Sequence, residues 1–189
     1  MNKASTTNDE SLNIGNAHIM HGMHAHGYAG PEFEKSAKEL EKNIGDNLAI
    51  VDYGCGPGRY CGILERHAKT LYCIDINKES LAEVKKKFAR AVILEDISSI
   101  PDASIDFLLL ANSFHDFADK DAAIQGIARI MKNDGKVAVV DWEKKETDFG
   151  PPISIRMSKE DYKEYFKDFA FDNEFAAGEN HYGLLFRKT

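Results

Sequence analysis

The sequence has little of what marks an exported, membrane-bound or nucleic-acid-binding chain. It holds three cysteines, Cys55, Cys61 and Cys73, and no Cys-x-x-Cys pair. An odd, sparse set excludes a disulfide framework and a zinc ribbon, and predicts reduced thiols in a cytoplasmic protein. No apolar run approaches the roughly 18 residues of a membrane span. The longest, Ile105 to Ala111, reads as a buried strand. Acids fall early, at Asp9 and Glu10, so the start is not expected to be a secretory signal. A basic excess is missing too: the formal net charge is −7, and only Lys85-Lys86-Lys87 gathers positive charge. Phosphate backbones call for a basic face, so neither a nucleic-acid partner nor a membrane partner is expected. There is no internal repeat and no low-complexity segment.

What is there fits one globular domain with a short arm. The chain has 189 residues, 43% hydrophobic and 29% charged. Residues 1–30 show little apolar periodicity and form the arm; residues 31–189 form the domain. The arm gathers His18, His21, His24 and His26 beside Met20, Met23 and Tyr28. It reads equally as a lid over a cofactor, with Tyr28 on the substrate pocket, and as a disordered tail. A histidine cluster can hold a metal ion, but no second ligand pair accompanies it, so no metal is expected.

From Pro31 the pattern alternates. Phe33, Ala37, Leu40 and Ile44 recur at helical spacing up to Gly45. Strands are predicted at Leu48–Val51, Leu71–Ile74, Ala91–Leu94, Ile105–Leu110 and Val137–Val140. Helices are predicted after the first of these, at Lys78–Ala89 and at Lys120–Met131, the last closed by Asn133-Asp134-Gly135. Ser158 reads as an N-cap with Asp161 in the capping-box position, opening a helix to about Lys167. Phe171–Ala177 and His181–Phe186 read as a hairpin around Gly178-Glu179-Asn180. Alternating strands and helices imply an α/β fold, a doubly wound and mostly parallel sheet. The apolar runs without alternation suit strands covered on both faces.

The strongest local signal is Asp52-Tyr53-Gly54-Cys55-Gly56-Pro57-Gly58-Arg59, between the first strand and its helix. In open α/β sheets ligands bind outside the carboxyl ends of the strands, where strand order reverses. A dinucleotide loop needs G-x-G-x-x-G. Arg59 occupies the third glycine position in one register and Cys61 in the other. A P-loop needs Gly-Lys followed by Ser or Thr, and Gly135-Lys136 is followed by Val137. The spacing acid-x-G-x-G-x-G instead resembles the first signature of class I methyltransferases that use S-adenosylmethionine. That cofactor has no pyrophosphate and carries an ammonium group, which Asp52 can help hold, directly or through water. Asp75 ends the second strand about 20 residues on, where an acid can accept from both ribose hydroxyls. Asp96 can accept from the adenine amino group while Ile97 covers the ring. Asn112 follows the fourth strand, where its carbonyl or side chain can meet the ammonium. With Cys55 in the loop and Ile76 beside Asp75, the cofactor-binding set is Asp52, Gly54, Cys55, Gly56, Gly58, Asp75, Ile76, Asp96, Ile97 and Asn112.

From Asp52 to Phe186 the chain resembles the class I group that includes the ubiquinone and menaquinone methyltransferases. Three stretches carry the likeness: Asp75-Ile-Asn-Lys-Glu-Ser-Leu, Ile100-Pro-Asp-Ala-Ser-Ile-Asp-Phe-Leu-Leu and Ile130-Met-Lys-Asn-Asp-Gly-Lys-Val. A narrower resemblance, to small methyltransferases without an assigned substrate, rests on Asp141-Trp142-Glu143, Gly150-Pro-Pro152 and His181-Tyr182. The resemblance implies a Rossmann-like seven-stranded sheet in the order 3-2-1-4-5-7-6, with an antiparallel last strand and helices on both faces. It also implies S-adenosyl-L-methionine as cofactor and a small-molecule methyl acceptor, whose identity stays open, as does the oligomeric state.

A displacement at an activated methyl group needs orientation and water exclusion, and a base only where the acceptor loses a proton. Phe114, His115, Asp141 and Trp142 follow the fourth and fifth strands and are candidates for the substrate pocket. His115 suits a general base at neutral pH, against the alternative of a capping or packing residue. Arg156 can pair with an acidic acceptor or sit on the surface. An arsenic-methylating site needs paired thiols, and Cys55, Cys61 and Cys73 stand on a loop, a helix and a strand. The competing functions are a non-catalytic cofactor-binding accessory protein and a nicotinamide oxidoreductase; the loop spacing disfavours the second.

Overall fold

The computed structural model describes residues 30–189; the arm, with its histidines and Tyr28, lies outside the described residues. The first helix, α1 (Pro31–Glu41), starts at the proline and buries Ala37 and Leu40. The chain then runs through β1 (Leu48–Tyr53), α2 (Cys61–His67), β2 (Ala68–Ile74), α3 (Lys78–Lys87) and β3 (Val92–Leu94). It continues with β4 (Ile105–Ala111), a short 3-10 turn at Phe114–Asp116, α4 (Lys120–Ile130) and β5 (Met131–Trp142). The last three elements are α5 (Lys159–Tyr165), β6 (Phe169–Ala176) and β7 (His181–Lys188).

The seven strands form one sheet in the order β3-β2-β1-β4-β5-β7-β6. β1 pairs in parallel with β2 and β4, and β4 with β5; β7 runs antiparallel between β5 and β6. Both the order and the antiparallel last strand are as the resemblance implies. Strand side chains divide between two cores. Val51, Leu108 and Leu110 face α4 and α5, with Ile127 and Tyr162. Ile50, Phe107 and Leu109 face α1, α2 and α3, with Leu40, Leu64 and Val84. Because β1 leads outward to β2 and β4 starts the other half, strand order reverses between them. The carboxyl ends at Tyr53 and Ala111 therefore border the crevice where ligands bind in such sheets.

Local chemistry explains the boundaries. Asn77 caps α3, its side chain accepting from the backbone N–H groups of Glu79 and Ser80. Lys85-Lys86-Lys87 close that helix, where cations oppose the negative end of its dipole. Asp119 caps α4. Ser158 and Asp161 form the reciprocal capping box, worth about 1 kcal/mol. Several ends differ from the sequence reading: α3 stops at Lys87, α5 stops at Tyr165, and β6 starts at Phe169. The larger difference is at Asn133-Asp134-Gly135, which does not close α4. The helix ends at Ile130, and Met131, fully buried, is already extended and pairs with Ile105. The three residues form a bulge inside β5, since the next register pair joins Phe107 to Lys136, and Asp134 there adopts φ 61°. Burying Met131 on the sheet outweighs one more helical turn. Among the described residues no helix is long and apolar enough to cross a membrane.

Candidate functional site

The loop after β1 is tied to the end of β2: the N–H groups of Gly54 and Cys55 both donate to the Ile74 carbonyl, at 2.8 and 3.0 Å. Its three glycines all have positive φ (79°, 52° and 85°), but for different reasons. A Cβ on Gly54 would run into Ser113, whose hydroxyl donates to the Tyr53 carbonyl at 2.9 Å. A Cβ on Gly58 would stand 3.0 Å from both Phe88 and Val84, so this glycine lets the loop pack against α3. A Cβ on Gly56 would meet nothing within 4 Å. The middle glycine alone borders open space.

The acids at the strand ends sit in different surroundings. Asp75 is buried; its Oδ2 accepts from Gly56 N and its Oδ1 from Asn77 N, each at 2.8 Å. Each oxygen keeps a lone pair for a further donor. Ile76 beside it is 78% exposed, which leaves a large apolar side chain facing outward at the rim. Asp52 lies beneath the loop, where burial, opposed by the Cys61 thiol and aided by Asp75, raises its carboxyl to about 7. Asp96 is exposed and accepts from Ser98 N at 2.7 Å; its pKa is lowered by the Ser98 hydroxyl and then the Ser98 N–H. Burial, and then the charge of Asp96, push up the phenol of Tyr53, which ties Asp96 to the start of the loop. Ile97 is half-buried and leans on Gly126 of α4, where an added Cβ would sit 3.0 Å away.

At the end of β4, Asn112 adopts φ 51°. Its N–H extends the pairing to Val140, and its Oδ1 is buried without a hydrogen-bond partner among the described residues. A buried carbonyl oxygen left without a donor costs free energy. It suits a ligand that brings one.

Past Asn112 the expected pocket residues divide. Phe114 belongs to the core: it is fully buried among Phe117, Tyr162, Tyr165 and Phe166, with ring centroids 5.4–6.2 Å away. His115 is buried, with Nδ1 3.0 and 3.1 Å from the two carboxylate oxygens of Asp141. Asp141 also accepts from Trp142 N at 2.8 Å and from the Tyr162 hydroxyl. Burial would raise the Asp141 carboxyl, but His115 and then Tyr162 bring it below the usual range. The carboxylate is therefore ionised and the His115 Nδ1–H donates to it. Burial pulls the His115 imidazole down, but Asp141 and then Asp116 outweigh it and the net shift is upward. His181, paired in register with Trp142, goes the other way: burial lowers it to about 3, so it is neutral. The Trp142 and His181 rings lie 4.0 Å apart, and Trp142 is buried.

Arg156 follows neither course set out for it. It is 4% exposed and 5.0 Å above the Trp142 ring. Its guanidinium donates to the carbonyls of Pro151, Glu143, Lys145 and Phe149 and to the Thr147 hydroxyl. It organises the loop between β5 and α5. The three cysteines correct another expectation. Though they come from a loop, a helix and a strand, they meet under the glycine loop: Cys61 and Cys73 stand 3.2 Å apart, and Cys61 donates to Asp52 Oδ2 at 3.4 Å. The Cys55 and Cys61 hydrogen bonds push the Cys73 thiol up, and all three cysteines are buried and unpaired by disulfides.

A shallow cavity of about 330 Å³ lies elsewhere, lined by Gly45, Leu48, Asp106 and Lys136 among others. These residues stand at the amino ends of the strands, away from the crevice that α/β sheets use. Asp106 there is already engaged by Lys132 and by Ala49 N.

Comparison with known proteins agrees with the geometry. The methyltransferase-domain family matches residues 51–139. A Sulfolobus solfataricus chain described as a type 11 methyltransferase is 50% identical, with a TM-score of 0.73 over 75% of this chain and 84% of that one. The chain belongs to the class I S-adenosylmethionine-dependent methyltransferases. An Aquifex aeolicus methyltransferase of known structure, 20% identical, shares the fold with a TM-score of 0.74 over 85% of this chain and 94% of that one. A methyltransferase-like protein of Schizosaccharomyces pombe is 32% identical over 51% of this chain and 39% of its own length. The chain spans less than half the length of the curated relatives it matches.

The glycine loop is thus joined to Asp75 by a hydrogen bond and to the end of β4 by Ser113, the neighbour of Asn112, with Ile76 exposed beside Asp75 and Asp96 near the loop's start. Tyr28 lies outside the described residues. Three residues with evident parts escaped the sequence reading: Ser113, Tyr162 and His181 as a buried neutral imidazole. Tyr162 had a signal, since a capping box at Ser158 sets the phase of α5, and one turn on from the cap a helix faces its partner. Ser113 had none, and His181 was marked only by the narrower resemblance, because their roles rest on pairing between distant strands.

Proposed function

We propose that this protein binds S-adenosylmethionine at the glycine loop and transfers its methyl group to a small molecule in the cytoplasm. One observation carries the reading: the open side of Gly56 lies beside the Asp75 carboxylate, and the unpartnered Asn112 Oδ1 stands at the end of β4, the strand next to β1. These groups fit the cofactor. Asp75 would accept from the ribose hydroxyls, Asn112 would accept from the ammonium, and ionised Asp52 would attract that ammonium from beneath. Ile76 and Ile97 would bound the adenine, with Asp96 toward its amino group. Bound there, the sulfonium supplies a methyl group that is already activated, so no nucleophilic side chain is required. The chain's own work is to hold the acceptor in line, exclude water, and take up a proton where the acceptor releases one. His115 is the candidate for that proton. Three free thiols suit a reducing compartment.

Titration calorimetry tests the reading with S-adenosylmethionine, S-adenosylhomocysteine and NADH. The expected result is one site per chain for both sulfur nucleosides and no heat from NADH. Binding of NADH alone would overturn it. Binding of the sulfur nucleosides without labelled methyl transfer to any fraction of a cell-extract pool would favour a non-catalytic accessory protein.

A further inference from the structure

We infer that Phe149 and Ile153 are specificity-determining contacts for the methyl acceptor, and that the acceptor presents an uncharged apolar ring or chain to them. This rests on the reading above and adds the acceptor class to it.

Five large apolar side chains are exposed among the described residues: Ile76, Val92, Phe149, Ile153 and Phe171. Val92 and Phe171 lie on β3 and β6, the two edge strands, where the sheet ends. Phe149 and Ile153, 42% and 38% exposed, stand instead on the loop that leaves the carboxyl end of β5. Leaving them in water costs free energy, and a loose loop would tuck them away. This loop is held in shape. A guanidinium has five N–H donors, and Arg156, itself 4% exposed, uses all of them on the loop. Its Nε donates to Pro151, its Nη1 to the carbonyls of Glu143 and Lys145, and its Nη2 to the Phe149 carbonyl and the Thr147 hydroxyl. Gly150, at φ 92°, lies so near Trp142 that a Cβ there would stand 2.7–2.9 Å from three atoms of the indole. The loop is pressed onto Trp142, and the Phe149 ring meets that indole edge-on at 5.7 Å. Two apolar side chains fixed in the open on a braced loop suit a ligand that covers them.

The same corner reaches the cofactor loop. Trp142 contacts the His181 ring at 4.0 Å. The charges that act on His181 are those of Asp141, Arg156, Arg59 and His115. Arg59 follows the last glycine of the cofactor loop, His115 lies in the turn after β4, and Asp141 is near the carboxyl end of β5. One imidazole thus stands within electrostatic reach of the glycine loop, of the ends of β4 and β5, and of the arginine that braces Phe149. Trp142, Gly150-Pro-Pro152 and His181, far apart in sequence, meet here.

The charges select against an ionic acceptor. A carboxylate or phosphate finds no donor left on Arg156, and the Asp141 carboxylate repels it. An ammonium meets the like charges of Arg156 and Arg59, while Asp141 is already engaged by His115, Trp142 N–H and Tyr162. An uncharged apolar surface needs no counter-charge and gains by covering Phe149 and Ile153.

The test uses two dyes of one ring system, neutral phenylnaphthylamine and its sulfonate, titrated by fluorescence into the full chain saturated with S-adenosylhomocysteine. The neutral dye is expected to bind at one site per chain, at least about tenfold more tightly than the sulfonate. Phe149→Ser and Ile153→Ser should each weaken it about fivefold or more, with Tm and S-adenosylhomocysteine affinity little changed, since both side chains are already exposed. Phe171→Ser, at the β6 edge, should leave dye binding as it was. Equal binding of the two dyes, an affinity indifferent to both loop substitutions, or loss of the site in Phe171→Ser overturns the inference. With labelled S-adenosylmethionine and a cell-extract pool, the methylated product should pass into organic solvent at neutral pH; a product that stays in water overturns it too. Calorimetry separates the two proposals: S-adenosylhomocysteine binding alongside adverse dye results sinks only this one, whereas no S-adenosylhomocysteine binding sinks the reading beneath it.

Discussion

Gly56→Ala is the perturbation that best separates a binding loop from a tight turn. At φ 52° a side chain costs about 1 kcal/mol. The new methyl meets no atom within 4 Å, so no packing cost is added. For a chain of this size that amounts to a fall in Tm of roughly 2–4 °C. The methyl would, however, stand in the path proposed for the cofactor and weaken S-adenosylmethionine binding by tenfold or more, about 1.4 kcal/mol. Gly58→Ala is the control. Its φ of 85° carries a similar backbone cost, and its Cβ lies 3.0 Å from Phe88 and Val84. Overpacking there adds about 1–3 kcal/mol, so its Tm falls two to four times as far. Gly56→Val extends the first result, with more strain from its branched side chain and binding abolished. Thermal melts and calorimetry on the variants measure both quantities. Wild-type affinity in Gly56→Ala, or equal Tm losses at Gly56 and Gly58, would refute the reasoning.

Other residues give independent outcomes. Asp52, raised by burial to about 7, holds its proton in the folded chain but not in the unfolded chain between about pH 4 and 7, so it erodes stability as pH rises through that window. Asp52→Asn should therefore be more stable than the wild type above pH 7, by on the order of 3–4 kcal/mol, seen in urea titrations at pH 8. The same substitution should flatten a rise in S-adenosylmethionine affinity between pH 6 and 8, because only the ionised carboxylate attracts the ammonium. Arg156→Ala removes the donor shared by four carbonyls and a hydroxyl. It should cost about 2–4 kcal/mol and speed amide exchange in residues 143–155, and Arg156→Lys should not restore protection, since an ammonium cannot span the fork. Ile76→Ala should leave Tm unchanged, as the side chain is 78% exposed, while lowering cofactor affinity.

Much of this architecture was legible because its signals are local. The alternation of apolar runs with helical periods gave every strand from β1 to β7, and Ser158, with Asp161, announced α5 four residues ahead of its first buried ring. The acid-glycine spacing gave the loop and the strand that precedes it. What could not be read depends on distance. Asn133-Asp134-Gly135 has the composition of a helix stop, but its place in β5 is set by Met131 reaching Ile105 across the sheet. Arg156 is uncommitted in sequence and is claimed in the fold by carbonyls of the loop between β5 and α5, which lie outside any strand or helix. The cysteines meet because α2 packs on β1 and β2, and Asp52 is opposite Cys73 in register. Phe114 follows β4 as a pocket residue would, but the 3-10 turn sends it into the aromatic core while His115 reaches Asp141. Composition cannot tell adjacent side chains on a tight turn apart.

A crystal structure of the full chain with S-adenosylhomocysteine measures the central claim most directly. The account predicts the ribose hydroxyls on Asp75, the adenine between Ile76 and Ile97, and the ammonium at Asn112. A nucleoside seated at the amino ends of the strands, or a Gly56 face that stays empty when the ligand is bound, would contradict it.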